Sequence, residues 1–425
     1  MRPRVANRLL AFAVGCFGLV AVCASSAAAA TFYVRVSGND TNDGLAPSRA
    51  FRTITRAAEM ALGRRPHAIY VGAGRYPEGN LNPGGSGEPN DPLAFIADWD
   101  GSRTGDAGQV LVDASGFQNA FRISDRPWVA INGFAITGAL EAGIDIKSGS
   151  ERTTVANCVV FSNGSRGIRV RDSAGVLVLN NLVYANRGTG IDFGGDIDSS
   201  SEGAAINNTV YANDLDGIRI EAVVPLQAMT ILNNVVTDNN GIGLNLKEGS
   251  ATDYVGQWNL LSGNGSGEYN TTSVARGQLD VERPPLFVAP SGTDGTLGGG
   301  GHRDDSFHLR QVAAGQGSDS PALDASALSP KQVGLQGAST RTDGAPDTAN
   351  VDLGFHLGGK ADFSSGSGPP VERRLKRLRK RAMKCEAQAE KARADRDRGR
   401  GACFQTGARK RFAKRCGPVV EALCG

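Results

Sequence analysis

The chain has 425 residues, 40% hydrophobic and 21% charged, which predicts a folded chain with a real core and excludes intrinsic disorder. Its 57 glycines are roughly twice the ordinary ~7% share but follow no Gly-X-Y period, so collagen is excluded and a fold with many turns is expected. The net charge of +3 hides an asymmetry: residues 371–425 hold 18 Lys/Arg against 6 Asp/Glu, residues 1–30 carry three arginines, and residues 31–370 are left at −12. Aromatic residues are too few to stack bases along a single strand, which argues against nucleic acid as a partner.

Residues 1–30 read as a signal peptide. Arg2, Arg4 and Arg8 precede an apolar run from Leu9 to Val22, and Ala28-Ala29-Ala30 supplies small residues for cleavage before Thr31. An exported protein is expected, secreted or held in the periplasm or envelope. Cys23 offers a lipoprotein alternative, without the flanking residues an acyl anchor needs. No later apolar run reaches ~18 residues, so no membrane span is expected.

Residues 31–63 read as a strand, a Gly/Asp turn and an amphipathic helix near 51–62 that ends at Gly63, suited to plugging the open end of a core. A parallel coil is then expected over 64–310. Its evidence is a repeat in residues 119–268: Gly143-Ile144-Asp145-Ile146, Gly167-Ile168-Arg169-Val170, Gly190-Ile191-Asp192-Phe193, Gly217-Ile218-Arg219-Ile220 and Gly243-Leu244-Asn245-Leu246. Val155-Ala156-Asn157-Cys158, Val178-Leu179-Asn180-Asn181, Ala205-Ile206-Asn207-Asn208 and Ile231-Leu232-Asn233-Asn234 keep the same beat. So do asparagines 163, 186, 213, 239 and 264.

Each unit holds short alternating apolar segments between Asn/Gly turns, and one unit cannot bury its apolar face alone. Stacked at about 4.8 Å, each strand lies beside its copy in the next unit, giving a parallel β-helix. Ile144, Ile168, Ile191, Ile218 and Leu244 should form one inward row; Ile146, Val170, Phe193, Ile220 and Leu246 the next. Asn181, Asn208 and Asn234 should form an internal amide ladder with Cys158, a buried free thiol, at its end. A leucine-rich horseshoe fails because the units lack repeated leucines and a helical stretch.

Phe32-Tyr33-Val34, Ser37-Gly38-Asn39-Asp40, Asp43-Gly44, Phe51-Arg52-Thr53-Ile54, Ile69-Tyr70-Val71 and Gly74-Arg75-Tyr76 resemble the amino-terminal cap of bacterial right-handed β-helix proteins of the pectate-lyase-like superfamily. Pro285-Leu286-Phe287-Val288, Asp305-Ser306-Phe307-His308-Leu309, Ser320-Pro321-Ala322-Leu323-Asp324 and Val351-Asp352-Leu353-Gly354-Phe355 resemble the closing segment of secreted β-helix proteins with variable carboxy-terminal anchors. The resemblance implies an all-β, right-handed parallel β-helix, closed by residues 311–357. It also implies binding or processing of an extracellular, acidic polysaccharide, lyase-like if catalytic. A non-catalytic envelope scaffold or adhesin is the alternative.

The central residues of the repeated strands, Asp145, Arg169, Asp192, Arg219 and Asn245, are expected to point to solvent and to stack with alternating sign. Lys147, Arg171, Gly194, Glu221 and Lys247 follow two positions later. A plain cross-strand ion ladder accounts for such a pattern. Lyases of the resembled family need a basic residue to take the proton beside a carboxylate, and calcium to neutralise the substrate acid. On that reading Arg169, Arg219 or Lys247 is the base, Asp192 assists, and Asp145, Lys147, Arg171 and Glu221 bind substrate. Asp192, Asp196 and Asp198 would hold calcium in the widened turn 190–203. Hydrolase chemistry at Asp214, Asp216 or Asp192 lacks the Asn-x-Asp, Asp-Asp and Gly-His-Gly set of the family hydrolases. His67, His302, His308 and His356 show no ligand or triad spacing.

Residues 358–370 read as a Gly/Ser/Pro linker. In 371–425 an apolar stripe predicts a helix near 371–396, and a second near 404–415 should fold back as a hairpin. Cys385, Cys403, Cys416 and Cys424 are expected as two disulfides in one of three pairings; zinc lacks a CxxC or a nearby histidine. The linker leaves this basic tail free of the body, to bind an anionic envelope polymer or lipid head groups.

Overall fold

The computed structural model describes residues 30–64, 67–89, 91–195, 202–222, 228–247, 254–270, 277–358, 371–397 and 416. The predicted signal peptide, the linker from 359 onward, Asp196, Asp198, the 404–415 helix, Cys403 and Cys424 lie outside them. Short parallel strands wind into a solenoid with three faces. Sheet 1 has nine strands, from Thr31–Val34 to Tyr254–Gln257; sheet 2 has eight, from Gly74–Tyr76 to Leu260–Ser262; sheet 3 has six, from Asn119–Ser124 to Leu244–Leu246. No helix among the described residues is long and apolar enough to cross a membrane.

Register follows the repeat. Ile144, Ile168, Ile191, Ile218 and Leu244 pair in sequence across sheet 3, as do Ile146, Val170, Phe193, Ile220 and Leu246. Both rows are buried in one interior cluster with Val160, Val183, Val210 and Val236 of sheet 2.

Two amide ladders run up the inside of the turns. Between sheets 1 and 2, the Cys158 N–H donates to Asn181 Oδ1 at 2.9 Å. The amides of Asn181, Asn208 and Asn234 each donate to the next ladder residue at 3.0 Å, ending on Asn259. Between sheets 2 and 3, Asn163, Asn186, Asn213, Asn239 and Asn264 form the same chain at 2.9 Å. Each ladder asparagine follows a residue of left-handed φ, so each turn changes direction in two residues. Cys158 is buried and free, and burial pushes its thiol up to about 12.

The repeated glycines make room for the second ladder. A Cβ on Gly190 would stand 2.4 Å from Val210 Cγ1 and 2.9 Å from Asn213 Nδ2. The glycine therefore lets strand, valine and amide share one narrow corner.

A helix over Ile54–Arg64 closes the first coil with Ile54, Ala57, Ala58 and Ala61. Its first N–H groups reach the Glu78 carboxylate, from Ile54 at 3.0 Å and Thr55 at 2.8 Å, which suits a carboxylate at a helix N-terminus.

The C-terminal part departs from expectation twice. The coil does not run to 310: its last ladder strand ends at Ser262, with a final bridge at Val281. Phe287–Ala289 and Ser306–Leu309 then form an antiparallel ribbon across sheet 2, with Phe287 and Phe307 packed on Tyr211 and Phe307 also on Tyr184. Residues 351–357 clip onto the outer asparagines of the first turn. His356 N–H donates to Asn180 Oδ1 at 2.7 Å, and Asn207 Nδ2 donates to the Asp352 carbonyl at 3.0 Å.

Nor is the tail free of the body. Its helix, Val371–Asp397, buries Leu378, Ala382, Cys385 and Ala389 in one cluster with Leu177, Leu179, Ile206 and Leu232 of sheet 1. Arg379 donates to the Met229 carbonyl at 3.1 Å, and Trp258 Nε1 to the Cys416 carbonyl at 3.0 Å. Cys385 and Cys416 form a disulfide. The outward residues of sheet 1 around Leu177, Leu179, Ile206 and Leu232 are apolar, and covering them yields more free energy than leaving the helix in solvent.

Two outcomes check this account. Asn208→Ala leaves the Asn181 backbone N–H without its buried acceptor and should cost about 3 kcal/mol in urea unfolding. Removing 371–425 should leave the interior coil folded but uncover sheet 1, seen as a lower Tm and a gain of hydrophobic-dye binding.

Candidate functional site

Two of the three outer faces are covered. Sheet 1 is apolar outward, through Leu177, Leu179, Ile206 and Leu232, and lies beneath the C-terminal segments. Sheet 2 is apolar outward, through Phe161, Leu182, Tyr184 and Leu260, and joins the same cluster. Sheet 3 instead presents a charged row. Arg122, Asp145, Arg169, Asp192, Arg219 and Asn245 pair in strict register from coil to coil.

The row is as the repeat predicts, but its exposure is not. Asp145 is 2% exposed, Asp192 3% and Asn245 8%. Short carboxylates stay close to the sheet while arginines, with three methylenes to fold over, lie across them. Arg171 reaches back to Asp145 at 3.0 Å. Asp192 takes Arg219 in bidentate fashion, at 3.0 and 2.9 Å, and Arg166 at 2.9 Å. Asn245 donates to Asp216 at 2.9 Å, and Glu221 bonds Lys247 and stands 3.3 Å from Arg219.

Burial alone would push the Asp192 carboxyl up, but the guanidiniums of Arg219 and Arg166 outweigh it and hold it below the usual carboxylate range. Asp192 is thus an anion among cations at neutral pH. Both its oxygens already accept guanidinium bonds, and that positive surround repels a divalent cation, so it does not fit as a calcium ligand. Its two predicted companions, Asp196 and Asp198, lie outside the described residues.

Arg169 differs from its neighbours. It stands between Asp145 and Asp192 in the row, yet those carboxylates are taken by Arg171, Arg219 and Arg166, and Arg169 forms no ion pair among the described residues. Burial, then the charges of Arg171 and Arg166, lower its pKa. Among the described residues, Arg122 and Lys147 on the same face are likewise without a carboxylate partner. Sequence reasoning passed over Arg122, because Phe121-Arg122-Ile123 has the strand's alternation without the marker glycine. It also passed over Arg166, which enters from a turn.

Residues 112–265 match the family model described as a right handed beta helix region. These residues are a right-handed parallel β-helix. No curated protein matches the chain. Two solved structures are similar at low level. A pectate lyase has TM-score 0.39 and 15% identity, over 76% of this chain and 95% of its own. A rhamnogalacturonan lyase has TM-score 0.30 and 16% identity, over 55% and 69%.

The covered faces of the β-helix hold two further polar groupings. A cavity of about 400 Å3 between sheet 2 and the closing segment is lined by Tyr184, His302, Asp305, Phe307, His308 and Phe355. Much of its polar lining is already spent, since Tyr184 donates to Asp305 at 2.8 Å and His302 meets Gln109 at 3.0 Å. Asp347, Asp352 and His356 gather from a stretch in which no spacing announced them. His356 bonds Asp347 at 2.8 Å and the Gly354 carbonyl at 2.9 Å, while Asp352 accepts from Thr340 and the Asp324 N–H. Every member is engaged with protein, so the group acts as a lock for the closing segment.

The paired charges of sheet 3 hold one another in place. Arg219→Ala leaves the buried Asp192 with one guanidinium and should cost about 3 kcal/mol in urea unfolding at neutral pH. Because the folded carboxyl is depressed, the unfolded chain protonates first. The pair's contribution is full above the ordinary carboxylate pKa of about 4 and fades as pH falls through the lower folded value, so wild-type and variant stabilities should converge in acid.

Proposed function

We propose that this protein binds an acidic polysaccharide along sheet 3 and cleaves it as a lyase, with Arg169 at the reacting carbon. The observation that supports this is the half-buried Arg169 guanidinium, which faces outward on sheet 3 with no carboxylate bound to it among the described residues, while Arg166, Arg171 and Arg219 are all paired. Arg122 stands two coils away in the same row, about 10 Å at strand spacing. With Lys147 it offers the uronate carboxylates a cationic track.

The chemistry is a β-elimination. A uronate carboxylate on this track acidifies the neighbouring C–H. A base takes that proton, the C–H electron pair becomes a carbon–carbon double bond, and the bond to the leaving glycosidic oxygen breaks as that oxygen gains a proton. Burial, followed by the charges of Arg171 and Arg166, favours the neutral guanidine at Arg169 more than at a solvated arginine. Arg219 and Asp192, committed to each other, hold the row straight and serve as positioning groups. Lys247 and Glu221 pair at the row's far end. The arginine-bearing leader and the Cys385–Cys416 disulfide favour an oxidising, extracytoplasmic setting.

Arg169 is also the clean mutational probe, because its side chain forms no ion pair among the described residues. Arg169→Ala should change unfolding free energy by about 0.5 kcal/mol or less. It should also abolish the ultraviolet absorbance of unsaturated ends on the uronate polymer that wild type cleaves, in an assay run with and without chelator. Polymer binding without product in wild type, weakened by Arg169→Ala, would establish the non-catalytic scaffold instead. Binding and turnover both untouched in Arg169→Ala would remove sheet 3 from the function.

A further inference from the structure

The C-terminal helix has two faces of opposite chemistry. At about 100° per residue, the buried Leu378, Ala382, Cys385 and Ala389 fall on one side. Arg373, Lys376, Arg377, Lys380, Lys384 and Lys391 fall on the other, within a sector about 100° wide. All six are exposed, and none forms an ion pair among the described residues. Between the two faces, Arg374, Arg379 and Arg381 turn inward and bond the body: Arg374 to the Gln332 carbonyl at 2.9 Å, Arg381 to Gln332 Oε1 at 3.0 Å, and Arg379 to the Met229 carbonyl. The helix therefore uses three arginines to dock and leaves six cations in line.

That line has no structural return. Like charges three and four residues apart on a helix repel and destabilise it. The body carries net negative charge, yet among the described residues none of its carboxylates pairs with the row. From Arg373 to Lys391 the row is straight and about 27 Å long. We propose that it is a binding surface for a linear polyanion, an acidic polysaccharide strand laid along the helix. A membrane is the poorer partner. A surface-seeking helix needs its apolar face for the lipid, and here that face is buried on sheet 1 and tied by the Cys385–Cys416 disulfide.

The polymer class is shared with the reading of sheet 3, but the residues are not, so the two proposals can fail separately. The test uses the full-length mature chain and polygalacturonate, with vesicles of phosphatidylglycerol and phosphatidylcholine in parallel. Lys376→Glu, Lys380→Glu and Lys384→Glu together should not lower the Tm, since these side chains form no hydrogen bond or ion pair among the described residues and the changes relieve like-charge repulsion along the row. They should weaken polygalacturonate binding roughly tenfold or more at low salt and flatten its salt dependence. Arg169→Ala should not flatten that dependence to the same degree. Turnover of short oligouronates, too short to reach the helix, should be unaffected by the triple variant. Unchanged polymer binding in the triple variant overturns the proposal, as does binding of wild type to anionic vesicles but not to the polymer. If wild type shows no lyase turnover but the triple variant still loses the polymer, the helix surface stands and the sheet 3 lyase reading falls.

Discussion

A coil of three short strands per turn must bend its backbone three times in about 24 residues, and at the two bends that flank sheet 2 the polar groups face a dry interior. That constraint governs the rest of the molecule. The asparagine ladders meet it at the two bends that flank sheet 2: each amide oxygen takes the N–H of the neighbouring coil, and each amide N–H donates onward to the next asparagine. A ladder tolerates no slip, since shifting one coil by one residue would break every amide contact and turn each strand's apolar side outward. The glycines of sheet 3 belong to the same constraint, because a side chain there would collide with the second ladder.

Fixed register makes a line of every sequence position, and lines of side chains decide what each outer face can do. Sheets 1 and 2 put apolar residues outward and therefore need a cover, which the ribbon, the closing segment and the C-terminal helix supply. Sheet 3 puts charge outward. Like charges stacked at strand spacing repel, so acidic and basic residues alternate, and the carboxylates sink beneath the guanidiniums. Cations outnumber carboxylates on this face, and the surplus comes to rest at Arg169, Arg122 and Lys147.

The coil was legible because its signal is local and repeated: the glycines, the paired asparagines and the apolar alternation each recur at one period. The covers were less so. Val176-Leu177-Val178-Leu179 is apolar on both sides of its strand, which is the pattern of a strand buried twice, and it could have announced that something lies over sheet 1. What lies there is set by long-range packing around Trp258 and Cys416, 158 residues apart, and no spacing encodes that. The charged row was found by its period, but its depth was not. Alternation says which side of the sheet a residue faces, whereas burial of Asp145 and Asp192 depends on where neighbouring arginines fold, and one of those, Arg166, comes from a turn.

Ladder register divides the sheet 3 arginines into those held by carboxylates and those, Arg169 and Arg122, with no carboxylate partner among the described residues. Nitrogen-15 chemical shifts of the arginine Nε–H groups, followed as a uronic acid oligomer is added, test it most directly. The account predicts that Arg169 and Arg122 move with saturable titration curves, while Arg166 and Arg219, already bonded to Asp192, stay in place. Movement of Arg166 and Arg219 with Arg169 unchanged would contradict it.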